Sequence, residues 1–267
     1  FAPVLDINNN YNNPIINFRS YSDNPQTVID FSLPFIDGLQ SKKVIACGKH
    51  FPGHGDTETD SHSSLAMIPS DSLRLWSIEI PPFQALIDSD IDAVMIAHVH
   101  APDYQPDSDT PASMSPFWVN NILKNKLGFK GAIVTDGMGM GGITKNYSDA
   151  YALIEVVKAG CDIIIQNYDI TKSINTIERA VLDGIISEER VNESALKMLN
   201  MKEKLGLHRS FKVSLDQMHQ NLAHADHKAM AKKIASESIT CVINDNRLIP
   251  MQHDLVWYVI DLYDNKN

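Results

Sequence analysis

No run of about eighteen apolar residues occurs anywhere in the 267 residues, so no segment is able to cross a bilayer as a helix. Cysteine is scarce too. Cys47, Cys161 and Cys241 are scattered, odd in number and without CxxC spacing, which supplies neither a disulfide framework nor a thiolate zinc site. The first two lie in apolar runs and read as small buried hydrophobes. Basic residues are in deficit: 23 Lys and Arg stand against 33 Asp and Glu, a formal charge of −10, and no basic stripe is interleaved with aromatics. Nucleic acid and an anionic membrane surface are therefore poor partners, and a neutral or small substrate fits better. No charged, then apolar, then small-residue run opens the chain as a secretory leader would. The first residue is Phe1 rather than Met, so a leader and part of the fold are expected upstream.

What is present suffices for one large domain and part of another, with 43% apolar residues and ordinary Gly and Pro content. Short apolar runs at 3–7, 44–48, 93–99, 132–136 and 162–167 read as buried parallel strands. Helical patterns separate them, at 26–40, 70–89, 115–127, 148–158, 171–183 and 188–205. Ser115 is expected to cap the third, with Pro116 at its first position and Gly128 past its end; Ser187 and Gly206 bracket the last. Strict alternation implies a parallel sheet with helices outside it, either an open doubly wound sheet or a closed (β/α)8 barrel. Five strand-helix units are visible, so a barrel would lack three, and truncation before Phe1 is the simplest account. The barrel is assigned to residues 1–208 and a linker to 209–222. Residues 223–267, with a helix near 225–238 and strands at 239–245 and 255–262, read as the start of a second α/β domain.

Polar residues gather at the C-terminal ends of the predicted strands: Asp6, then Lys49 and His50, His98 and His100, Asp136, and Gln166 with Asn167. In a barrel those ends converge on one face and build the active site. The densest segment is the loop Lys49–His62, KHFPGHGDTETDSH, in which Asp60 stands two residues from His62. A carboxylate there can accept the ring N–H, fix the tautomer and raise the basicity of the other nitrogen, as a general acid/base requires. His54 and Asp56 are expected to shape the loop. Met138 and Met140 are expected to pack rather than line the site.

KHFPGHGDTETDSH followed by AIVTDGMGM (132–140) closely resembles the paired motifs of glycoside hydrolase family 3, in its β-N-acetylglucosaminidase branch. FAPVLDINNNYNNPIINFRSY, AHVHAP and VVKAGCDIII also resemble family segments in the right order, so the resemblance covers about residues 1–206. The DSH element is absent from the β-glucosidase branch. The resemblance implies an N-terminal catalytic (β/α)8 barrel acting by a retaining route, with Asp136 as nucleophile, His62 as acid/base and Asp60 as its partner. Arg19, Lys49 and His50 would contact the sugar. It implies a carbohydrate partner, terminal β-linked N-acetylglucosamine of peptidoglycan fragments or chitooligosaccharides, with no cofactor and no metal. A bacterial cell envelope or periplasm is favoured over the cytoplasm. Two departures accompany it: a histidine replaces one carboxylate of the usual pair, and the family's early strand with an acidic residue and paired glycines would lie before Phe1.

Two other readings stay open. His98, His100, His62 and Asp136 form the ligand set of a metal-dependent hydrolase in one. In the other the barrel binds carbohydrate without turning it over.

Overall fold

The computed structural model describes residues 1–69, 72–105, 109–166 and 169–209, then 214–216, Met218, Leu222, 224–241 and 243–244. The chain divides into two units, Phe1–Ser210 and Phe211–Asn267.

In the first unit β1 (Cys47–Phe51), β3 (Ala93–Ile96), β5 (Ala132–Gly137) and β6 (Ile163–Ile165) pair in that order, all parallel. The chain start lies along the other side of β1. Val4 bridges Lys49, and the N–H groups of Cys47 and Lys49 donate to the carbonyls of Ala2 (2.8 Å) and Pro3 (3.1 Å). Spatial order thus follows sequence order across five extended segments with no reversal. A doubly wound sheet reverses at its switch point, so this is an arc of a TIM-type barrel, which resolves the choice left open by periodicity. The arc does not close among the described residues. β2 (Ala66–Met67) and β4 (Val99–His100) form a separate parallel pair.

β1 extends further than expected. The ladder to the chain start runs to Lys49 and the ladder to β3 runs to Phe51, so Lys49 and His50 stand within the strand. The run 93–99 is two strands rather than one: the ladder to β1 ends on the Ala97 N–H, which donates to the Phe51 carbonyl at 2.8 Å, and Val99–His100 pair with β2 instead.

Side chains of a strand alternate between faces, and here the alternation separates two cores. Cys47, Ala93, Met95, Ala132 and Val134 form one cluster, the inner face of the arc. Leu5, Val94, Ile96 and Ile133 join the larger cluster with the helices. Continuing the inner rows toward the strand ends gives Lys49 after Cys47 and Asp136 after Val134. The sheet therefore raises those two side chains over its inner face.

The helices α1 (Pro25–Ser41), α2 (Ile80–Asp88), α3 (Phe117–Lys126), α4 (Asp149–Ala159), α5 (Ile170–Leu182) and α6 (Glu188–Lys204) follow the expected patterns. A helical segment, Leu75–Glu79, leads into α2. Between sheet and helices, Phe51 meets Phe83 edge to face at 5.2 Å and Trp118 at 6.3 Å. Ser148, Asp169 and Ser187 cap α4, α5 and α6 by accepting from the third residue on. Ser115 does not cap α3. Its hydroxyl donates to Gln105 Oε1 at 3.0 Å, a partner seen only once the loop from β4 is folded.

In the second unit a helix, α7 (Ala225–Glu237), stands where expected. The strand expected at 239–245 is not formed among its described residues, 239–241 and 243–244; the run 255–262 lies outside the described residues.

Candidate active site

Arg19, Lys49, His50, His62 and Asp136 line one cavity of about 280 Å³, together with Phe1, Ile15, His54, Ser61, Met95 and Ile165. Asp60 stands behind His62. Its Oδ1 lies 2.9 Å from His62 Nδ1 and accepts the His62 backbone N–H at 2.8 Å. Nδ1 is thereby tied to a carboxylate, and Nε2 carries the ring's remaining proton capacity. The pair is substantially exposed, so these hydrogen bonds orient the ring rather than packing.

Asp136 caps the inner row of β5. The Gly137 N–H donates to its Oδ1 at 2.8 Å, which fixes the carboxylate plane. Lys49 is half-buried beside it. Burial, and then the Arg19 guanidinium, lower the Lys49 ammonium below its usual range, while Asp136 opposes them.

Beneath the cavity lies Asp6, fully buried. His50 Nδ1 sits 2.6 Å from its Oδ2, and the backbone N–H groups of His50 (3.3 Å) and His54 (2.7 Å) donate to its Oδ1. Burial alone would raise this carboxyl. The charge and hydrogen bonds of His50 and His54 outweigh it and hold Asp6 below the usual carboxylate range.

The loop bearing His62 docks on the segment that follows Asp136. Gly141 N–H donates to the His62 carbonyl (2.8 Å) and Gly142 N–H to the Ser61 carbonyl (3.1 Å). A Cβ on Gly141 would stand 2.6 Å from the Ser63 carbonyl oxygen, so only glycine permits the approach.

His98 and His100 do not reach the cavity. His98 is buried, with Nδ1 2.7 Å from Ser113 Oγ and Nε2 3.1 Å from the Gly137 carbonyl, so both ring nitrogens are committed. That removes His98 from the metal-ligand set, and among the described residues no group of three or more His, Cys, Asp or Glu is placed to hold a metal ion. Met138 and Met140 are buried packing residues, as expected. Gln166 donates to Ser173 Oγ at 3.1 Å, on the far side of the strand end, and Asn167 lies outside the described residues. Met95 and Ile165 were not anticipated. Only the register of β3 and β6 against β5 brings them to the cavity.

Glu79 is a buried carboxyl under the same loop. Its Oε1 accepts from Asn9 Nδ2 at 3.0 Å, and its side chain lies against Gly53. Burial, with Asp6 and Asp56 adding to it against Asn9 and Arg74, pushes it up to about 7. In the unfolded chain it ionises near the ordinary glutamate value of about 4.3. The folded state therefore holds a proton that the unfolded state has lost between those values, and stability falls as pH rises through the window. Glu79→Gln, neutral throughout, should match wild type near the lower limit and exceed it by roughly 4 kcal/mol above the upper one. Urea melts at pH 4.5 and 7.5 check this; a constant difference between variant and wild type would refute it.

Residues 1–201 match the family model described as the glycosyl hydrolase family 3 N terminal domain. The chain is 30% identical, over 100% of its length, to the beta-N-acetylglucosaminidase/beta-glucosidase of Cellulomonas fimi, covering 49% of that protein. It is 32% identical, over 93% of its length, to beta-hexosaminidase A of Pseudoalteromonas piscicida, covering 44% of it. It thus spans about half the length of these curated relatives. Among solved structures it is similar to the family 3 beta-N-acetylglucosaminidase of Paenibacillus sp. str. FPU-7, with a TM-score of 0.84 and 36% identity over 90% of this chain and 46% of that one. It is also similar to beta-glucoside phosphorylase BglX bound to 2FGlc, with a TM-score of 0.89 and 28% identity over 94% and 47%. The match across most of the chain, on a parallel arc whose strand ends hold the cavity, makes this protein a member of glycosyl hydrolase family 3 with the TIM-type barrel of that family's N-terminal domain.

Proposed function

We propose that the full-length protein is a retaining exo-β-N-acetylglucosaminidase that removes terminal β-linked N-acetylglucosamine from peptidoglycan fragments or chitooligosaccharides. The observation that carries the reading is that Asp136 and the Asp60-oriented His62 share one cavity with Arg19, Lys49 and His50. At about 280 Å³ the space is small among ligand pockets, which run from ~300 to ~1,000 Å³, and suits one terminal sugar ring.

In this reading Asp136 attacks the anomeric carbon while His62 donates a proton to the departing oxygen, so the glycosidic bond breaks as the glycosyl ester forms. The now basic His62 then takes a proton from water, whose oxygen displaces the Asp136 carboxylate and regenerates both groups. Arg19, Lys49 and His50 supply donors to the ring hydroxyls or the acetamide oxygen. The second unit and any region outside this chain are assigned no step; residues 223–267 are proposed as the start of a second α/β domain.

Full-length protein given aryl β-N-acetylglucosaminide should release N-acetylglucosamine that is β when first formed, by NMR before mutarotation. An α product would exclude the two-step route, and faster turnover of the matching β-glucoside would overturn the substrate class. Phosphate as the second-step acceptor is favoured by one observation: the cationic Arg19 and Lys49 stand in the same cavity as an imidazole rather than a carboxylate acid/base. Sugar 1-phosphate formed on adding inorganic phosphate would establish that variant.

A further inference from the structure

We propose that His54 is a positioning residue for the acid/base: its buried ring holds Ser61, and through Ser61 it sets where His62 stands. The proposal rests on the function assigned above and adds a residue with no part in the bond changes.

The geometry converges on the ring from all sides. His54 is 1% exposed although it borders the cavity. Its backbone N–H is anchored on Asp6, the same carboxylate that holds His50. Its Nδ1 lies 2.6 Å from Thr57 Oγ1 and its Nε2 2.8 Å from Ser61 Oγ. Thr57 Oγ1 also lies 3.0 Å from the His54 carbonyl, to which it donates its hydrogen. One tautomer then satisfies every group: Nδ1–H donates to Thr57, and Nε2 accepts from the Ser61 hydroxyl. A neutral ring fits the surroundings, since burial, and the neighbouring His50, lower its pKa against the opposing charges of Asp6 and Asp136.

Both nitrogens are spent, so His54 has no free donor or acceptor for a sugar. What it does hold is the residue immediately before His62. The His62 ring is largely exposed and its orientation comes from Asp60, which rides on the same loop. Orientation within the loop does not locate the loop. The His54 to Ser61 bond and the Gly141 and Gly142 amides do that. A displacement of about 1 Å at a catalytic group can cost on the order of 10²-fold in rate.

Asparagine places a polar group near the Nδ1 position of histidine and glutamine near Nε2. In the full-length protein His54→Asn should therefore keep the Thr57 contact and lose Ser61, whereas His54→Gln should keep Ser61. Ser61→Ala removes one hydroxyl and nothing of the core. The expected result is that His54→Asn and Ser61→Ala each lower kcat on an N-acetylglucosamine disaccharide by about ten- to a hundred-fold. KM should be unchanged, and release of dinitrophenolate from the activated glycoside in a pre-steady-state burst should be nearly unaffected. His54→Gln should stay close to wild type, and the double variant His54→Asn/Ser61→Ala should be no slower than either single one. Equal losses on both substrates, or additive losses in the double variant, would overturn the proposal and leave His54 a structural residue. If wild type releases no N-acetylglucosamine from either substrate, the underlying function fails and the proposal with it.

Discussion

Asp136→Asn in the full-length protein is expected to lower turnover of an aryl β-N-acetylglucosaminide by roughly 10³-fold or more while leaving binding nearly intact. The expectation comes from the strand. Ala132 and Val134 occupy the inner face of the arc, and Asp136 is the next residue of that row, raised into the cavity with Oδ1 pinned by the Gly137 N–H. Asparagine keeps the pinned oxygen and the volume. It replaces only the second oxygen, the one proposed to attack. Loss of kcat without a rise in the dissociation constant for N-acetylglucosamine is therefore the signature, read by kinetics and calorimetry together. Retention of more than about a tenth of the wild-type rate would sink the assignment, since removal of a nucleophile costs orders of magnitude. A slow 2-fluoro glycoside should label Asp136 in wild type, by peptide mass mapping. Label on another residue would point to a route through the substrate acetamide.

The second large effect belongs to His62. Protonation matters in proportion to how poor the leaving group is: a sugar alcohol cannot depart as an alkoxide, whereas a dinitrophenolate departs unaided. His62→Ala should depress hydrolysis of disaccharides by roughly 10²–10⁴-fold, as loss of a general acid/base does. Glycosylation from the dinitrophenyl substrate should change far less, so deglycosylation becomes limiting. Azide, which needs no base, should then accelerate turnover and yield the β-glycosyl azide. Asp60→Ala should follow the same trend more weakly, because the imidazole remains but loses the carboxylate that orients Nδ1. Equal slowing of both substrates with no rescue by azide would make His62 a binding residue and dissolve the dyad.

Much of the arc was legible because each of its strands is an apolar run that ends on a polar residue, as AIVTD does at Asp136. Which strands are neighbours was not legible. Adjacency is a property of hydrogen bonds between distant segments, such as Val94 with Ile133, and periodicity within a segment is blind to it. The same blindness explains Met95 and Ile165, whose apolar side chains carry no sign of a site until the register places them at the rim. His98 and His100 misled in the opposite direction. Their spacing suits a metal, but the chain leaves the sheet at Ala97, and His98 turns to Ser113 and the Gly137 carbonyl. Glu79 gave no signal at all. It falls on a helical pattern where a carboxylate is ordinarily solvated, and only the fold of residues 9 and 53 over it takes it out of water. The Asp60 and His62 contact was legible because it is local, two residues apart on one loop.

The dock at Gly141 and Gly142 makes the two ends of the proposed chemistry a single heritable module. Residues 136–142 carry the proposed nucleophile at one end and the seat of the proposed acid/base loop at the other, so their count sets the gap that a substrate would fill. An insertion or deletion between Asp136 and Gly141 would change that gap even with every reactive side chain retained. An alanine at Gly141 would press against the Ser63 carbonyl and unseat the loop. The Asp60–His62 loop grafted alone onto another barrel would arrive without its seat; carried together with 136–142, it would bring its own ruler.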